Sequence, residues 1–238
     1  MLNIYRSGNE SAESTTRRRV LRIAATVAAT APLALHPAAA SPAAGSRRIR
    51  RAILVPRYGG DRSADWYPTA LRELAARSIS TRVVSLRPEP TAPGVDATVA
   101  AIADAVGTDP HVIAQTVLIG HSVGTRALLA YLSRRGVQQR FAGLVSVAGW
   151  FTVDALNSYP VLRPWVNMPL DFTSIAAAAG PINVHLSDND PFTADWRDNA
   201  GEWLRRVGAA VHITHGAGHF MTTSPGAVLD TILVASQG

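Results

Sequence analysis

Thr116–Leu132 reads TVLIGHSVGTRALLAYL, three local signals in direct succession. Thr116, Val117, Leu118 and Ile119 are β-branched or apolar and predict a short buried strand. Gly120-His121-Ser122-Val123-Gly124 is a Gly-x-Ser-x-Gly turn. Thr125–Leu132 then predicts a helix with Ala, Leu and Tyr on its inner face. A strand, such a turn and a helix together are the context of a nucleophile elbow, which lifts the serine hydroxyl above the sheet edge. Gly120 and Gly124 lack a Cβ, so strand and helix can approach closely around Ser122. The helix start adds backbone N–H groups and a partial positive charge beside it.

Outward from this stretch, short apolar runs alternate with helical periodicity. Strands are expected at Ala52–Val55, Thr81–Leu86, Phe141–Val147, Ile182–Leu186 and Ala210–Ile213, and helices at Trp66–Arg77, Val95–Val106, Asp195–Val207 and Ala227–Ala235. This alternation predicts an α/β fold: a compact, doubly wound sheet of about six parallel strands with helices on both faces. Ligands in such sheets bind past the carboxyl ends of the strands, where strand order reverses. With the second and third strands on opposite sides of the first, the Pro56–Gly60 loop becomes a neighbour of Ser122. The segment Trp150–Gly180 is the least regular, with Pro160, Pro164 and Pro169 among Tyr159, Trp165 and Phe172. It reads equally as a small lid over the elbow and as an aromatic-rich connection packed on the core.

A serine hydroxyl is a poor nucleophile without a base, and the base needs an orienting carboxylate. In this fold order they follow as acid and then histidine, each in a loop after a strand. Ser187-Asp188-Asn189-Asp190-Pro191-Phe192 and Gly216-Ala217-Gly218-His219-Phe220 supply both. His219 is the candidate general base and Asp190 its partner, although Asp190 taken alone suits a helix cap. Asp188 is expected to bond nearby backbone N–H groups. The Val123 N–H, with that of Tyr58 from the first loop, is the candidate oxyanion hole. His121 is expected to pack under the elbow. His212, His215 and His219 lie close enough in sequence to raise a zinc site, but their spacing crosses from strand to loop without an HExxH motif, so no metal or other cofactor is expected.

Composition narrows the classes further. All 23 basic residues are arginine, and the net charge is +6. The excess sits in residues 1–51, leaving the remainder close to neutral, which argues against a nucleic-acid partner. With no cysteine, disulfides, thiolate metal sites and a cysteine nucleophile are excluded. Residues 1–40 read as an export signal: Thr16-Arg17-Arg18-Arg19-Val20-Leu21-Arg22 resembles the twin-arginine pattern. The apolar run Ile23–Leu35 is too short for a membrane span, and Ala38-Ala39-Ala40 offers a cleavage site. Residues 41–51 read as a linker and 52–238 as the folded domain. The expected location is therefore secreted or otherwise extracytoplasmic.

From Arg51 onward, the motifs ILVPRYGG, Asp65-Trp66-Tyr67-Pro68, IGHSVG, Pro169-Leu170-Asp171-Phe172, SDNDPF and GAGHF resemble the small α/β-hydrolases related to the retinoblastoma-binding serine hydrolase and YdeN-like proteins. The resemblance implies a six-stranded parallel sheet without a large cap domain, and Ser122, Asp190 and His219 as the triad. It also exposes a departure. Arg57 follows Pro56 where the family's first loop usually has glycine. Either the loop geometry differs, or Arg57 lines the site and meets an anionic substrate. The expected activity is hydrolysis of a small-molecule carboxylic ester through an acyl-enzyme. A non-catalytic binding protein on the same scaffold is the alternative.

Overall fold

The apolar runs build a six-stranded sheet in the computed structural model, which describes residues 49–86, 94–136, 138–153, 159–193, 195–224 and 226–235. Its strands are β1 (Arg51–Val55), β2 (Ser80–Val83), β3 (Thr116–His121), β4 (Gly143–Val147), β5 (Ile182–Ser187) and β6 (Ala210–Thr214). All five pairings are parallel, in the order β2-β1-β3-β4-β5-β6. The order reverses at β1, so the crevice between the carboxyl ends of β1 and β3 is the switch point where such sheets bind ligands. β3 and β4 are buried at every position, as strands covered on both faces must be.

The helices are α1 (Tyr67–Ala76), α2 (Val95–Val106), α3 (Pro110–Ala114), α4 (Val123–Arg135), α5 (Arg163–Asn167), α6 (Phe172–Ala179), α7 (Trp196–Val207) and α8 (Ala227–Ala235). Two apolar clusters lie on opposite faces of the sheet. Leu74 of α1 and Ile232 of α8 pack with Leu54 and Ile119 on one face. Ile102 of α2, Leu128 of α4, Ile175 of α6 and Trp203 of α7 pack with Ile53 and Leu118 on the other. The doubly wound architecture expected from the alternation is thus present.

Three differences have local causes. Strand β2 starts one residue early and stops at Val83 rather than Leu86. It is an edge strand, and after the Val84 N–H bonds the Leu54 carbonyl at 2.9 Å the ladder has no further partner. Helix α4 is buried on all sides from Val123 to Leu132, not on one face alone, because α2, α5 and α6 surround it. Within Trp150–Gly180, a 3-10 turn (Pro160–Leu162) leads into α5 and α6. Trp150, Phe151, Leu162, Trp165 and Ile175 are all buried in the core, so the described part of this segment is a packed wall. Residues 1–48, with the expected export signal and most of the expected linker, lie outside the described residues, as does the Pro-rich segment 87–93. Among the described residues no helix is long and apolar enough to cross a membrane.

Candidate active site

Ser122 stands between β3 and α4 with φ 54° and ψ −119°, a conformation that costs a non-glycine residue about 1–3 kcal/mol and persists only where the surroundings enforce it. The enforcement is visible. The Ser122 N–H donates to the Val147 carbonyl at 2.8 Å, and the Ser122 carbonyl accepts from Thr125 N–H at 2.9 Å. A Cβ on Gly120 would lie 2.6 Å from Thr125 Cα, and one on Gly124 only 2.1 Å from the Val55 carbonyl oxygen. The two glycines therefore let α4 press onto β3 and the end of β1. That contact brings the start of α4 against the Val55 and Pro56 carbonyls, from which the loop that carries Tyr58 leads off.

The first loop turns at Arg57-Tyr58-Gly59-Gly60, closed by Gly60 N–H donating to the Arg57 carbonyl at 3.0 Å. The left-handed position falls on Gly59 (φ 70°), and Arg57 is not among the residues with positive φ. Arginine is accordingly unstrained after Pro56. Its guanidinium grips Asp65 with two bonds, Nε–Oδ2 at 2.7 Å and Nη2–Oδ1 at 3.1 Å, and Nη1 donates to the Tyr58 carbonyl at 3.1 Å. The expected contact with an anionic substrate thus finds all three guanidinium nitrogens already engaged within the loop.

Asp190 and His219 meet as buried neighbours, 3% and 7% exposed. The His219 Nδ1 lies 2.7 Å from Asp190 Oδ2, so Nδ1–H donates to the carboxylate and Nε2 is left as an acceptor. The other carboxylate oxygen, Oδ1, accepts from Phe192 N–H at 2.9 Å. Asp190 thus partners the histidine and also binds the Phe192 amide of its own turn, but the cap of the helix that follows, α7, is Asp195 rather than Asp190. The two loops are latched at three consecutive positions. Asp188 accepts Gly216 N–H at 2.9 Å and lies 2.6 Å from His215 Nδ1. Asn189 accepts Gly218 N–H at 2.7 Å, and Asp190 holds His219. The main backbone donor to Asp188 therefore comes from the following loop, 28 residues on, with its own amide a weaker partner. These bonds, the Gly216 amide foremost, hold the Asp188 carboxyl below its ordinary range.

The three clustered histidines diverge. His212 stacks on His185 with ring centroids 4.8 Å apart, His215 pairs with Asp188 and His219 with Asp190. Among the described residues no group of three or more His, Cys, Asp or Glu side chains is placed to hold a metal.

His121 does pack under the elbow, 1% exposed, but it also links the parts. Its Nε2 lies 2.8 Å from the His219 carbonyl oxygen and its Nδ1 lies 2.7 Å from Tyr67 Oη. The residue before Ser122 is thus tied directly to the backbone of His219, which brings the Asp190–His219 pair alongside the elbow. In the sequence Asp65 and Tyr67 stand together in one motif that points to no task for either. Tyr67 meets His121 across 54 residues, and such an approach leaves no periodic trace.

A family model described as serine hydrolase matches residues 52–229. Comparison with the curated proteins finds no match. Among solved structures, the YdeN gene product of B. subtilis superposes with a TM-score of 0.68 at 19% identity, covering 78% of this chain and 98% of its own. A YdeN-like hydrolase of Pectobacterium atrosepticum gives 0.53 at 20% identity, covering 80% and 91%. A carboxylesterase structure from the thaumarchaeon Nitrososphaera gargenis gives 0.57 at 12% identity, covering 80% and 90%. At these identities the structural likeness concerns the fold.

Proposed function

The chain belongs to the serine hydrolase family, and from that premise we propose that it hydrolyses carboxylic esters of small molecules through Ser122, His219 and Asp190. The observation that carries this reading is the buried Asp190–His219 hydrogen bond, tied through His121 to the strained Ser122 turn. Ser122 Oγ attacks the ester carbonyl carbon while its proton passes to His219 Nε2, and Asp190 stabilises the imidazolium that forms. The Val123 and Tyr58 N–H groups hold the oxyanion. As the intermediate collapses, the C–O bond to the alcohol breaks and His219 returns the proton to the leaving oxygen. Water then attacks the acyl-enzyme and gives its proton to His219, and Ser122 departs with that proton as the acid is released. No step calls for a metal or an organic cofactor.

A fluorophosphonate probe tests the assignment, since it labels only an activated serine. Labelling of the wild type and none of Ser122→Ala is the expected result. A folded wild type that takes no label and turns over no member of an acyl-chain-length ester panel overturns it and leaves a binding protein on this scaffold.

Export of the enzyme is part of the same proposal, supported by the order of Arg17-Arg18, the apolar run and Ala38-Ala39-Ala40. Replacing Arg17 and Arg18 by Lys should leave the precursor unprocessed, and normal secretion of that variant contradicts twin-arginine export.

A further inference from the structure

The pairing of Arg57 with Asp65 bears on how many protons sit beside the reacting centre. The His219 carbonyl, 2.8 Å from His121 Nε2, can only accept, so Nε2 carries the ring hydrogen of His121. Nδ1 is then the acceptor for the Tyr67 O–H at 2.7 Å, and Tyr67 Oη in turn receives the Arg57 backbone N–H at 3.1 Å. A neutral imidazole satisfies every polar atom in this chain, and a second ring proton, on Nδ1, would require the Tyr67 hydroxyl to turn its own hydrogen to Asp65, which lies within its reach. Burial holds His121 well below the ordinary histidine range, and the nearby His219 and Arg57 act in the same direction.

One neighbour pulls the other way. The Asp65 carboxylate, 7% exposed, lies 4.0 Å from His121 Nδ1. An opposite charge at about 4–6 Å favours the charged form of its neighbour by about 1–3 pKa units. Asp65 left alone would favour a proton on His121, against the burial that disfavours it. The His121 and His219 ring centroids are 5.4 Å apart, so a cation on His121 would oppose the imidazolium His219 has to form. The groups facing His121 are Tyr67 from α1, Asp65 and Arg57 from the β1–α1 loop, and His219 from the loop after β6. The Trp66 ring also lies against it, at 5.9 Å between centroids, and brings no charge.

We propose that Arg57 is a positioning residue that acts through charge: by occupying Asp65 it keeps His121 in its neutral Nε2–H form, so that His219 alone carries the proton of acyl transfer. This rests on the reading of His219 as the general base. It also gives the arginine that replaces the family's glycine a task within this loop.

The test is the pH profile of ester hydrolysis by the purified full chain and its variants, followed between about pH 5 and 10 to include both limbs. In Arg57→Met the acid limb of kcat/KM moves upward by at least about one unit. On the acid side of the limb activity then falls about tenfold for each unit moved, while the alkaline plateau stays within about twofold of wild type. Arg57→Lys keeps the wild-type limb, and adding Asp65→Asn to Arg57→Met restores it. A profile for Arg57→Met that overlays the wild type, or drops by one factor at every pH, sinks the idea, as does failure of the double variant to recover. Nitrogen-15 NMR of the imidazoles reads the same point without turnover: His121 takes up its second proton at a higher pH in Arg57→Met than in the wild type. A His121 that becomes doubly protonated at no higher pH in Arg57→Met than in the wild type overturns the proposal. If the wild type shows no Ser122-dependent hydrolysis, the base assignment fails, and the NMR experiment still decides the charge role of Arg57.

Discussion

Asp190 divides its two oxygens between tasks, one accepting the Phe192 amide and the other the His219 ring. An asparagine can keep the first bond and lose the negative charge and the correct histidine tautomer. Asp190→Asn should therefore lower kcat by roughly 10⁴, as the same change does in a well-studied protease triad, while thermal unfolding stays near the wild-type midpoint. A matching loss of heat stability would mean that the turn, not the histidine, is what Asp190 serves. Gly124 is a second single-residue test. Its Cβ would meet the Val55 and Pro56 carbonyls at 2.1 and 2.5 Å, and both are backbone atoms that cannot swing aside. Gly124→Ala should cost about 1–3 kcal/mol in urea unfolding and depress turnover as well, because it pushes the loop proposed to hold the oxyanion away from Ser122. At this scale the three residues proposed to react were legible as candidates, since each lies in a short motif after a strand. The Tyr67–His121 link and the Arg57–Asp65 pair were not, because side-chain approach across the fold has no local signature.

Among the elements, α5 shows how a short helix with weak intrinsic stability is kept. Its five residues leave their carbonyls without partners inside the helix. Arg126 of α4, 2% exposed, donates to the Trp165 carbonyl at 3.0 and 2.7 Å and to the Val166 carbonyl at 3.3 Å. The same guanidinium lies over the Trp150 ring at 5.4 Å. Burial lowers its pKa to about 10, so it remains a cation at neutral pH. Arg126→Leu strands two buried carbonyls and should destabilise the protein by about 2–4 kcal/mol, at about 1–3 for each lost partner with some relaxation. Chemical denaturation measures the total, and hydrogen exchange should localise the loosening to residues 159–168. The long strands and helices were readable because their apolar spacing is regular. Helix α3 was missed although Asp109-Pro110 announces it: the Asp109 carboxylate accepts His111 N–H at 2.8 Å, a cap followed by proline at the first helical position. Helices α5 and α6 were missed because each is too short to show a period, and packing rather than patterning buries Trp165 and Ile175.

Across the whole molecule, buried neutral histidines tie stability to acidity. His185, 1% exposed, is held by burial and by the adjacent His212 at a pKa of about 4, against 6.5 for the free side chain. Between those values the unfolded chain takes up a proton that the folded one refuses. Stability is therefore lost as pH falls through 6.5 and the loss levels off below about 4, reaching about 3 kcal/mol for this group. His121 acts with the same sign. His185→Gln should flatten the dependence of the urea midpoint on pH across that window without abolishing it, and an unchanged slope contradicts the assignment. Stability is also unevenly spread along the sheet. The last strand, β6, pairs on one side only and is the natural place for the sheet to fray. Yet the loop after it is pinned by Asp188, Asn189 and Asp190, all rooted beyond the better-covered strand β5. The amides of Gly216 and Gly218 should thus exchange more slowly than their exposure suggests, and His219 keeps its place through fluctuations that open the strand leading to it. The histidine proposed as the base is moored across the loops rather than along its own chain, which lets the margin of the sheet breathe while the imidazole stays where it is.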